Sequence, residues 1–122
     1  MKIIPLRQGS FTIDKTKLFV PCEDYGHELQ DRPVGSLLVE IQPFVVITYK
    51  EVMLLDTGLG FNDKAEHKMQ LHCNLEKNGI KPEDVTKVLM SHLHKDHAGG
   101  ICLENDHSKL SFPYATYYVQ KR

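Results

Sequence analysis

The chain has 122 residues, which is the length of one domain that can bury a core of its own. Fifteen Lys and Arg residues against sixteen Asp and Glu residues leave a formal net charge of -1, without a block of like charge, which disfavours a nucleic-acid or membrane-surface partner. No apolar run reaches the ~20 residues of a membrane span, and nothing at the N-terminus has the pattern of a signal peptide, so we expect a cytoplasmic protein.

The first half of the chain has the pattern of short strands. "KIIPL" and "SFTID" are typical of two of them, and the turn-forming, charged residues 21–33 predict an exposed loop. Three apolar runs follow, and the short polar segments between them predict an antiparallel meander: "SLLVEI", "FVVITY" and "VMLLD". The last run is almost entirely apolar, which predicts a strand that is buried on both faces of its sheet.

A helix is predicted from Asn62 or Asp63 to Asn78. Asp63 and Glu66 have the spacing of a capping box, and Gly79 supplies the left-handed residue that commonly ends a helix. After a turn, "KVLMS" is typical of another buried strand. This order of strand, helix and strand favours an α/β fold with a parallel or mixed sheet.

The segment "SHLHKDHAGG", residues 91–100, follows that strand and places three histidines and an aspartate within six positions. Side chains two apart in an extended segment point to the same side, so His92 and His94 can direct two imidazoles at one point, which is half of a tetrahedral zinc site. Asp96 and His97 follow where the chain must turn, and they can present a carboxylate and a third imidazole to a second point. Zinc, iron and manganese accept these ligands. The alternative is a structural role, in which the histidines cap a turn and satisfy buried carbonyls.

The other potential metal ligands are predicted to have different roles. Three cysteines, odd in number and far apart, predict reduced thiols packed in the core rather than a disulfide framework or a zinc ribbon: Cys22, Cys73 and Cys102. Asp106 and His107 lie in the polar stretch "ENDHSK", which is typical of a surface loop. We therefore expect the metal ligands to come from the histidine-rich segment.

With these motifs the chain resembles the metallo-β-lactamase superfamily. "SHLHKDHAGG" looks like the H-x-H-x-D-H signature of that family, and "LLDTGLG" resembles the Asp-Thr-Gly element that precedes the signature. "PYATYYVQKR" is most similar to the lactonase-like branch, which includes acyl-homoserine lactone hydrolases. The resemblance implies an α/β fold with a mixed β-sheet and helices, in which residues 1–122 form a single partial domain, the N-terminal half of a four-layer αββα sandwich.

The resemblance also implies two zinc sites, with iron or manganese as alternative metals. It assigns His92 and His94 to the first metal, and Asp96 and His97 to the second. Asp96 has the catalytic role as well, because its carboxylate would hold the reacting water and could accept its proton. Asp56 would orient the metal-binding loop, since a charge at the end of a buried strand needs fixed hydrogen-bond donors. A plain turn-forming role for Asp56 is the alternative.

Full members of the family complete both sites with ligands from their C-terminal half, whereas this sequence continues for only 25 residues after His97. Four candidate ligands leave two metal sites incomplete. We therefore expect the N-terminal fragment of a metal-dependent hydrolase, which in its complete form cleaves a small-molecule lactone or ester, and we expect this chain alone to be inactive. Its exposed sheet face predicts a homodimer or a domain-swapped assembly. The alternative is a self-sufficient small metal-binding protein with a structural or partner-docking role.

Overall fold

The computed structural model describes residues 1–22 and 34–121, so most of the loop predicted at residues 21–33 lies outside the described residues. The strands of the described part are β1 (Lys2–Pro5), β2 (Gly9–Ile13), β3 (Val20–Pro21), β4 (Leu37–Ile41), β5 (Phe44–Ile47), β6 (Val52–Leu55), β7 (Lys87–Met90) and β8 (Thr116–Val119). The helices are α1 (Gln70–Glu76), a 3-10 turn (Pro82–Asp84) and the single turn α2 (Lys95–Ala98). None of these helices is long and apolar enough to cross a bilayer.

The strands form two sheets. The larger sheet has the order β1-β5-β6-β7-β8, and the smaller has the order β3-β2-β4. In the larger sheet β1, β5 and β6 pair antiparallel, whereas β6, β7 and β8 pair parallel. The connection from β6 to β7 contains α1, as a crossover between parallel strands requires. The predicted mixed sheet and the predicted strand "KVLMS" are therefore confirmed.

The predicted antiparallel meander is wrong in its first strand. β5 and β6 do pair antiparallel, but β4 pairs with β2 in the smaller sheet, where Val39 lies opposite Phe11. The chain changes sheets at Gln42 and Pro43, between β4 and β5. Proline has no N–H group for a strand ladder, and its position here suits a point where one sheet ends and the next begins.

The predicted helix is shorter than expected, because α1 begins only at Gln70. Asp63 does accept a hydrogen bond from the backbone N–H of Glu66 at 3.0 Å, as a helix cap would. However, His67 has a φ of 55°, a left-handed conformation that interrupts helical hydrogen bonding. Gly79, with a φ of 75°, follows α1 as the predicted stop.

One face of the larger sheet carries the hydrophobic core. Val45, Leu54 and Val88 form a row across its central strands and are fully buried. α1 packs on the same core with Leu71 and Leu75. The other buried members of the cluster are Leu6, Met69, Ile80, Val85, Met90 and Phe112.

The opposite face of the larger sheet is only partly buried. An apolar row crosses it in register, formed by Phe44, Leu55, Leu89 and Tyr118. Leu55, Leu89 and Tyr118 are 38%, 37% and 48% exposed. The prediction that β6 is buried on both faces is therefore wrong for this face. An apolar row of this kind is typical of a surface that further polypeptide covers.

Candidate metal centre

The candidate site lies where the parallel strands β6 and β7 end. Parallel neighbours end at the same edge of a sheet, so Asp56 after β6 lies beside Ser91 after β7. The N–H of Asp56 donates to the carbonyl of Leu89 at 3.0 Å, and its φ is 61°. A left-handed conformation in a residue other than glycine is uncommon and is concentrated at functional sites.

Thr57 fastens the loop after β6 to α2. Its N–H and its Oγ1 hydroxyl both donate to the carbonyl of His97, at 2.7 and 3.0 Å, and Oγ1 accepts the N–H of Gly100 at 3.2 Å. The two backbones approach so closely that a Cβ atom at Gly60 would lie 2.0 Å from the carbonyl oxygen of Gly99. The fully buried Thr57 therefore fixes the backbone that carries His97.

Asp56 accepts the hydrogen bonds that organise the site. Oδ1 accepts the N–H of Ser91 at 2.7 Å, and Oδ2 accepts the hydroxyl of Ser91 at 2.7 Å and Nδ1–H of His97 at 2.9 Å. Partial burial acts to raise the pKa of Asp56, but the bonds from Ser91 and His97 outweigh it and hold the pKa below its ordinary value. The contacts fit the predicted orienting role, while its importance for a bound metal stays a prediction.

Ser91 extends this orientation to His92. Because the hydroxyl of Ser91 donates to Asp56, its oxygen is left to accept Nδ1–H of His92, 3.0 Å away. The hydrogen-bond network thus assigns the proton of His92 to Nδ1 and the lone pair to Nε2. His97 has the same assignment, since its Nδ1 donates to Asp56. One carboxylate therefore leaves two Nε2 lone pairs available to a cation.

His92, Asp96 and His97 form a compact group, in which one potential ligand atom from each lies within 4.8 Å of the others. The ring centroids of His92 and His97 are 4.1 Å apart. The ring of His94 stands edge-on to that of His92 with centroids 4.7 Å apart, but His94 is not part of the compact group. Three of the four predicted ligands are brought together, and their division between two metals stays a prediction.

The compact group fits a divalent metal ion. Nε2 of His97 lies 3.3 Å from Oδ2 of Asp96. At this distance the lone pair on Nε2 of His97 and the carboxylate of Asp96 repel each other unless a positive charge lies between them. A metal ion or a second proton on the imidazole would supply that charge. Metal–ligand bonds of ~2.0–2.2 Å place two ligands of one tetrahedral ion roughly 3.3–3.6 Å apart, so the group must contract where its ligand atoms lie farther apart than this. Two imidazoles and one carboxylate are also a donor set of catalytic zinc sites.

An apolar groove of about 1500 Å³ shares α2 with this group, because Lys95 and Ala98 line it. Its largest apolar side chains include Phe11, Leu18, Phe19, Leu59, Phe61 and Ile101. His107 also lines the groove, away from the compact group. Cys102, predicted to be a buried thiol, lines it as well and is only partly buried, whereas Cys22 and Cys73 are buried as predicted.

Ser91 and Thr57 support the site, and neither role was predicted from the sequence. For Thr57 a signal was present in the Asp-Thr-Gly element, because a hydroxyl at a fixed place beside a glycine can bond backbone groups. For Ser91 no local signal exists. A serine after a strand is common, and its role depends on Asp56, 35 positions earlier in the chain.

Residues 39–103 match the sequence model of the metallo-beta-lactamase superfamily. Two curated proteins named N-acyl homoserine lactonase AiiB are similar to the chain. The one from Agrobacterium fabrum is 29% identical over 122 residues, and the one from Rhizobium rhizogenes is 28% identical, each match covering 84% of this chain. The chain spans 43% of the length of either relative.

Solved structures show the same likeness. AidC, a dizinc quorum-quenching lactonase in complex with a product, has a TM-score of 0.65 and 27% identity, with 94% of this chain and 40% of that chain covered. The hydrolase AbOPH has a TM-score of 0.64 and 27% identity, with 95% and 40% covered. A probable metal-dependent hydrolase from Staphylococcus aureus, 19% identical with a TM-score of 0.67, shares the fold over 95% of this chain and 45% of its own. The predicted fold class, a mixed-sheet half of the αββα sandwich, is confirmed.

Proposed function

Because the chain belongs to the metallo-beta-lactamase superfamily, we propose that it is the N-terminal part of a metal-dependent hydrolase. The observation that carries the proposal is the convergence of His92, Asp96 and His97 within 4.8 Å. Its relatives include lactonases and a hydrolase. The chain spans less than half of each, so the activity of the whole protein and the extent of the domain over residues 1–122 are parts of the proposal.

In this proposal Nε2 of His92 contributes to a first divalent metal, and Nε2 of His97 and the carboxylate of Asp96 hold a second, with zinc as the first choice and iron or manganese as alternatives. When bound, such an ion polarises a carbonyl oxygen and lowers the pKa of a water to about 7. Asp96 positions the attacking water, and its carboxylate accepts the proton that the water loses. His94, which lies against His92, contributes to the first of two metal sites. Asp56 keeps both ligand imidazoles oriented.

The proposed substrate of the complete protein is a small lactone or ester with an apolar acyl chain. A polarising metal beside a water-positioning carboxylate suits attack on a carbonyl carbon, which lactones and esters provide. The AiiB relatives are named as N-acyl homoserine lactonases. The groove of about 1500 Å³ offers apolar walls beside α2, where an acyl chain gains about 25 cal/mol for each Å² of apolar surface removed from water.

We also propose that a second copy of this chain, in a homodimer or a domain-swapped assembly, covers the row of Phe44, Leu55, Leu89 and Tyr118. Light scattering after size-exclusion chromatography tests this. Leu89→Lys, in the middle of the row, should raise the monomer fraction, whereas Tyr49→Lys on an exposed turn outside the row should not. A monomeric wild-type chain at high micromolar concentration would contradict the assembly.

A cytoplasmic location belongs to the same proposal. Cys73 and Cys102 are free thiols, which a reducing compartment preserves. Cell fractionation tests the location, and recovery of the protein outside the cytoplasmic fraction would contradict it.

The alternative function is that of a self-sufficient small metal-binding protein with a structural or partner-docking role. It is favoured by the fact that three potential ligands already converge from the short segment 92–97. Such a protein would bind one metal ion tightly as a monomer and would not hydrolyse lactones in any assembly.

Elemental analysis of the purified chain after dialysis against zinc, combined with an assay on an N-acyl homoserine lactone, tests these functions. We expect bound zinc and no turnover by the isolated chain. The double variant His92→Ala, His94→Ala should lose the metal, while His107→Ala, a control in the groove, should retain it. Unchanged metal content in the double variant would place the ligands elsewhere and contradict the proposal. Tight binding of one ion by a monomer, without turnover in any assembly, would favour the alternative.

A further inference from the structure

Gln8 lies between β1 and β2, where the chain passes from the larger sheet to the smaller one. It is 5% exposed. Its backbone is held on both sides, because its N–H donates to the carbonyl of Ile41 at 2.8 Å and its carbonyl accepts Nε2–H of Gln70 at 3.1 Å. A carboxamide this deeply buried is costly unless it is hydrogen-bonded, so the group that it contacts is informative.

The carboxamide of Gln8 contacts the loop that follows β6. Its Oε1 accepts the N–H of Leu59 at 2.9 Å, and the need of that N–H for an acceptor determines which end of the amide faces Leu59. Gly58, with a φ of 67°, lies directly against the same group. A Cβ atom there would be 2.0 Å from Oε1 of Gln8, so only glycine leaves room for the contact.

The same loop contacts α2 with other atoms. Thr57 donates twice to the carbonyl of His97, and Gly58 forms an isolated β-bridge with Ala98. The backbone of Leu59 also lies against the residue that follows α2, because a Cβ atom at Gly99 would lie 2.3 Å from the carbonyl oxygen of Leu59. Residues 57–60 therefore connect the buried amide of Gln8 to the backbone of a candidate metal ligand.

We propose that Gln8 is a positioning residue for the metal site, acting on His97 through the loop 57–60. This inference rests on the proposed metal-binding function. Metal–ligand distances in proteins are held to within about 0.2 Å, so a small displacement of the loop reaches the metal as lost affinity. Residues that orient metal ligands without touching the metal typically change affinity by about 10–100-fold when they are removed.

Two substitutions at Gln8 and one control test the inference. Gln8→Met removes the acceptor for Leu59 while it keeps the length of the side chain. Gln8→Glu retains an acceptor oxygen at the same place and should rescue the effect. Asn78→Met is the control, because it deletes a carboxamide that donates to the carbonyl of Asn74 in α1 and makes no bond to Gln8. The readouts are zinc affinity, by competition with a chromophoric chelator, and hydrogen exchange of the Leu59 amide.

We expect Gln8→Met to weaken zinc binding about 10-fold or more and to accelerate exchange at Leu59. Gln8→Glu and Asn78→Met should stay within about threefold of the wild-type affinity, well below the effect of removing an orienting group. Wild-type affinity and wild-type protection of Leu59 in Gln8→Met, with only thermal stability reduced, would overturn the inference. If Gln8→Met does not fold, Gln8→Asn replaces it, since its shorter side chain withdraws the acceptor from Leu59 and the same two results decide.

Failure of the proposed function is recognisable in the same experiment. If the wild-type chain binds no zinc, the metal-binding function fails. The connection from Gln8 to His97 is then decided by exchange at Leu59 and by the ¹⁵N chemical shift of His97 Nδ1. Both should change in Gln8→Met and not in Asn78→Met, and two unchanged signals in Gln8→Met would overturn the connection itself.

Discussion

Thr57→Val removes one hydroxyl group and leaves the shape of the side chain nearly unchanged. In the wild-type chain Oγ1 of Thr57 donates to the carbonyl of His97 and accepts the N–H of Gly100. After the substitution, the carbonyl of His97 still receives the N–H of Thr57 at 2.7 Å, so it keeps a partner. The N–H of Gly100, a buried residue, loses its acceptor.

The magnitude follows from these two losses. A buried donor without a partner costs about 1–3 kcal/mol, and the lost donation to a carbonyl that remains bonded adds a smaller amount. We expect Thr57→Val to lower the free energy of unfolding by about 2 kcal/mol. Thr57→Ser keeps the hydroxyl and removes one methyl group, which costs about 1 kcal/mol in lost burial and cavity formation.

Urea denaturation of the wild type and both variants, followed by circular dichroism, measures the difference. We expect Thr57→Val to be less stable than Thr57→Ser. The free energy of unfolding should fall with urea concentration at the same slope for all three proteins. If packing alone determined the role of Thr57, the order would be reversed. If the free energy of unfolding of Thr57→Val lies within about 0.5 kcal/mol of the wild-type value, the hydroxyl does not have this role, because a buried N–H without an acceptor lowers stability by more than that.

Three further predictions concern Ser91, Gly60 and His72. Ser91→Ala removes the acceptor for Nδ1–H of His92 and should weaken zinc binding about 10-fold in a chelator competition. Ser91→Thr keeps the hydroxyl and should not weaken binding. Equal zinc affinity of Ser91→Ala and the wild type would contradict this prediction. Gly60→Ala places a Cβ atom 2.0 Å from a backbone oxygen, whereas Gly79→Ala meets open space and should cost only the ~1–2 kcal/mol of left-handed strain. Gly60→Ala should therefore lower the free energy of unfolding by more than Gly79→Ala. Equal losses of unfolding free energy in urea denaturation would count against the close contact. Burial holds the pKa of His72 below its ordinary value of 6.5, although its bond to a backbone carbonyl opposes this, so the unfolded chain takes up the proton at higher pH than the folded chain. The free energy of unfolding should therefore fall as the pH drops below 6.5 and level off below the lowered pKa. His72→Gln should lack this pH-dependent loss, and an identical pH profile of stability in the variant would disprove the prediction.

The sequence predicted those parts of the fold that depend on local pattern. Continuous apolar runs predicted β6 and β7, and the strand–helix–strand order favoured a parallel or mixed sheet, in which these two strands are parallel neighbours. The prediction that the helix starts at Asn62 or Asp63 was wrong because His67 adopts a left-handed conformation. Histidine as a residue type does not predict that conformation. The meander was wrong because β4 has a choice of partners, and its pairing with β2 is decided by the packing of two sheets.

At the candidate site, the dense spacing of the motif predicted a cluster of four potential ligands, and three of them come together, whereas His94, predicted to share a point with His92, lies outside the compact group. His92, Asp96 and His97 lie within six positions, so one strand end and one helical turn suffice to gather them. The supporting contacts could not be predicted in the same way. His97 and Asp56 are 41 positions apart, and the bond from Leu59 to Gln8 spans 51 positions, so both depend on the completed fold.

Zinc K-edge X-ray absorption of the metal-loaded chain is the decisive test of metal binding by the histidine-rich segment, because it identifies the atoms that surround the ion. We expect imidazole nitrogens and carboxylate oxygen at about 2.0–2.2 Å, with the imidazole signal reduced when His92 and His97 are both replaced by alanine. Retention of no zinc, or a shell of cysteine sulfur at about 2.3 Å, would contradict it.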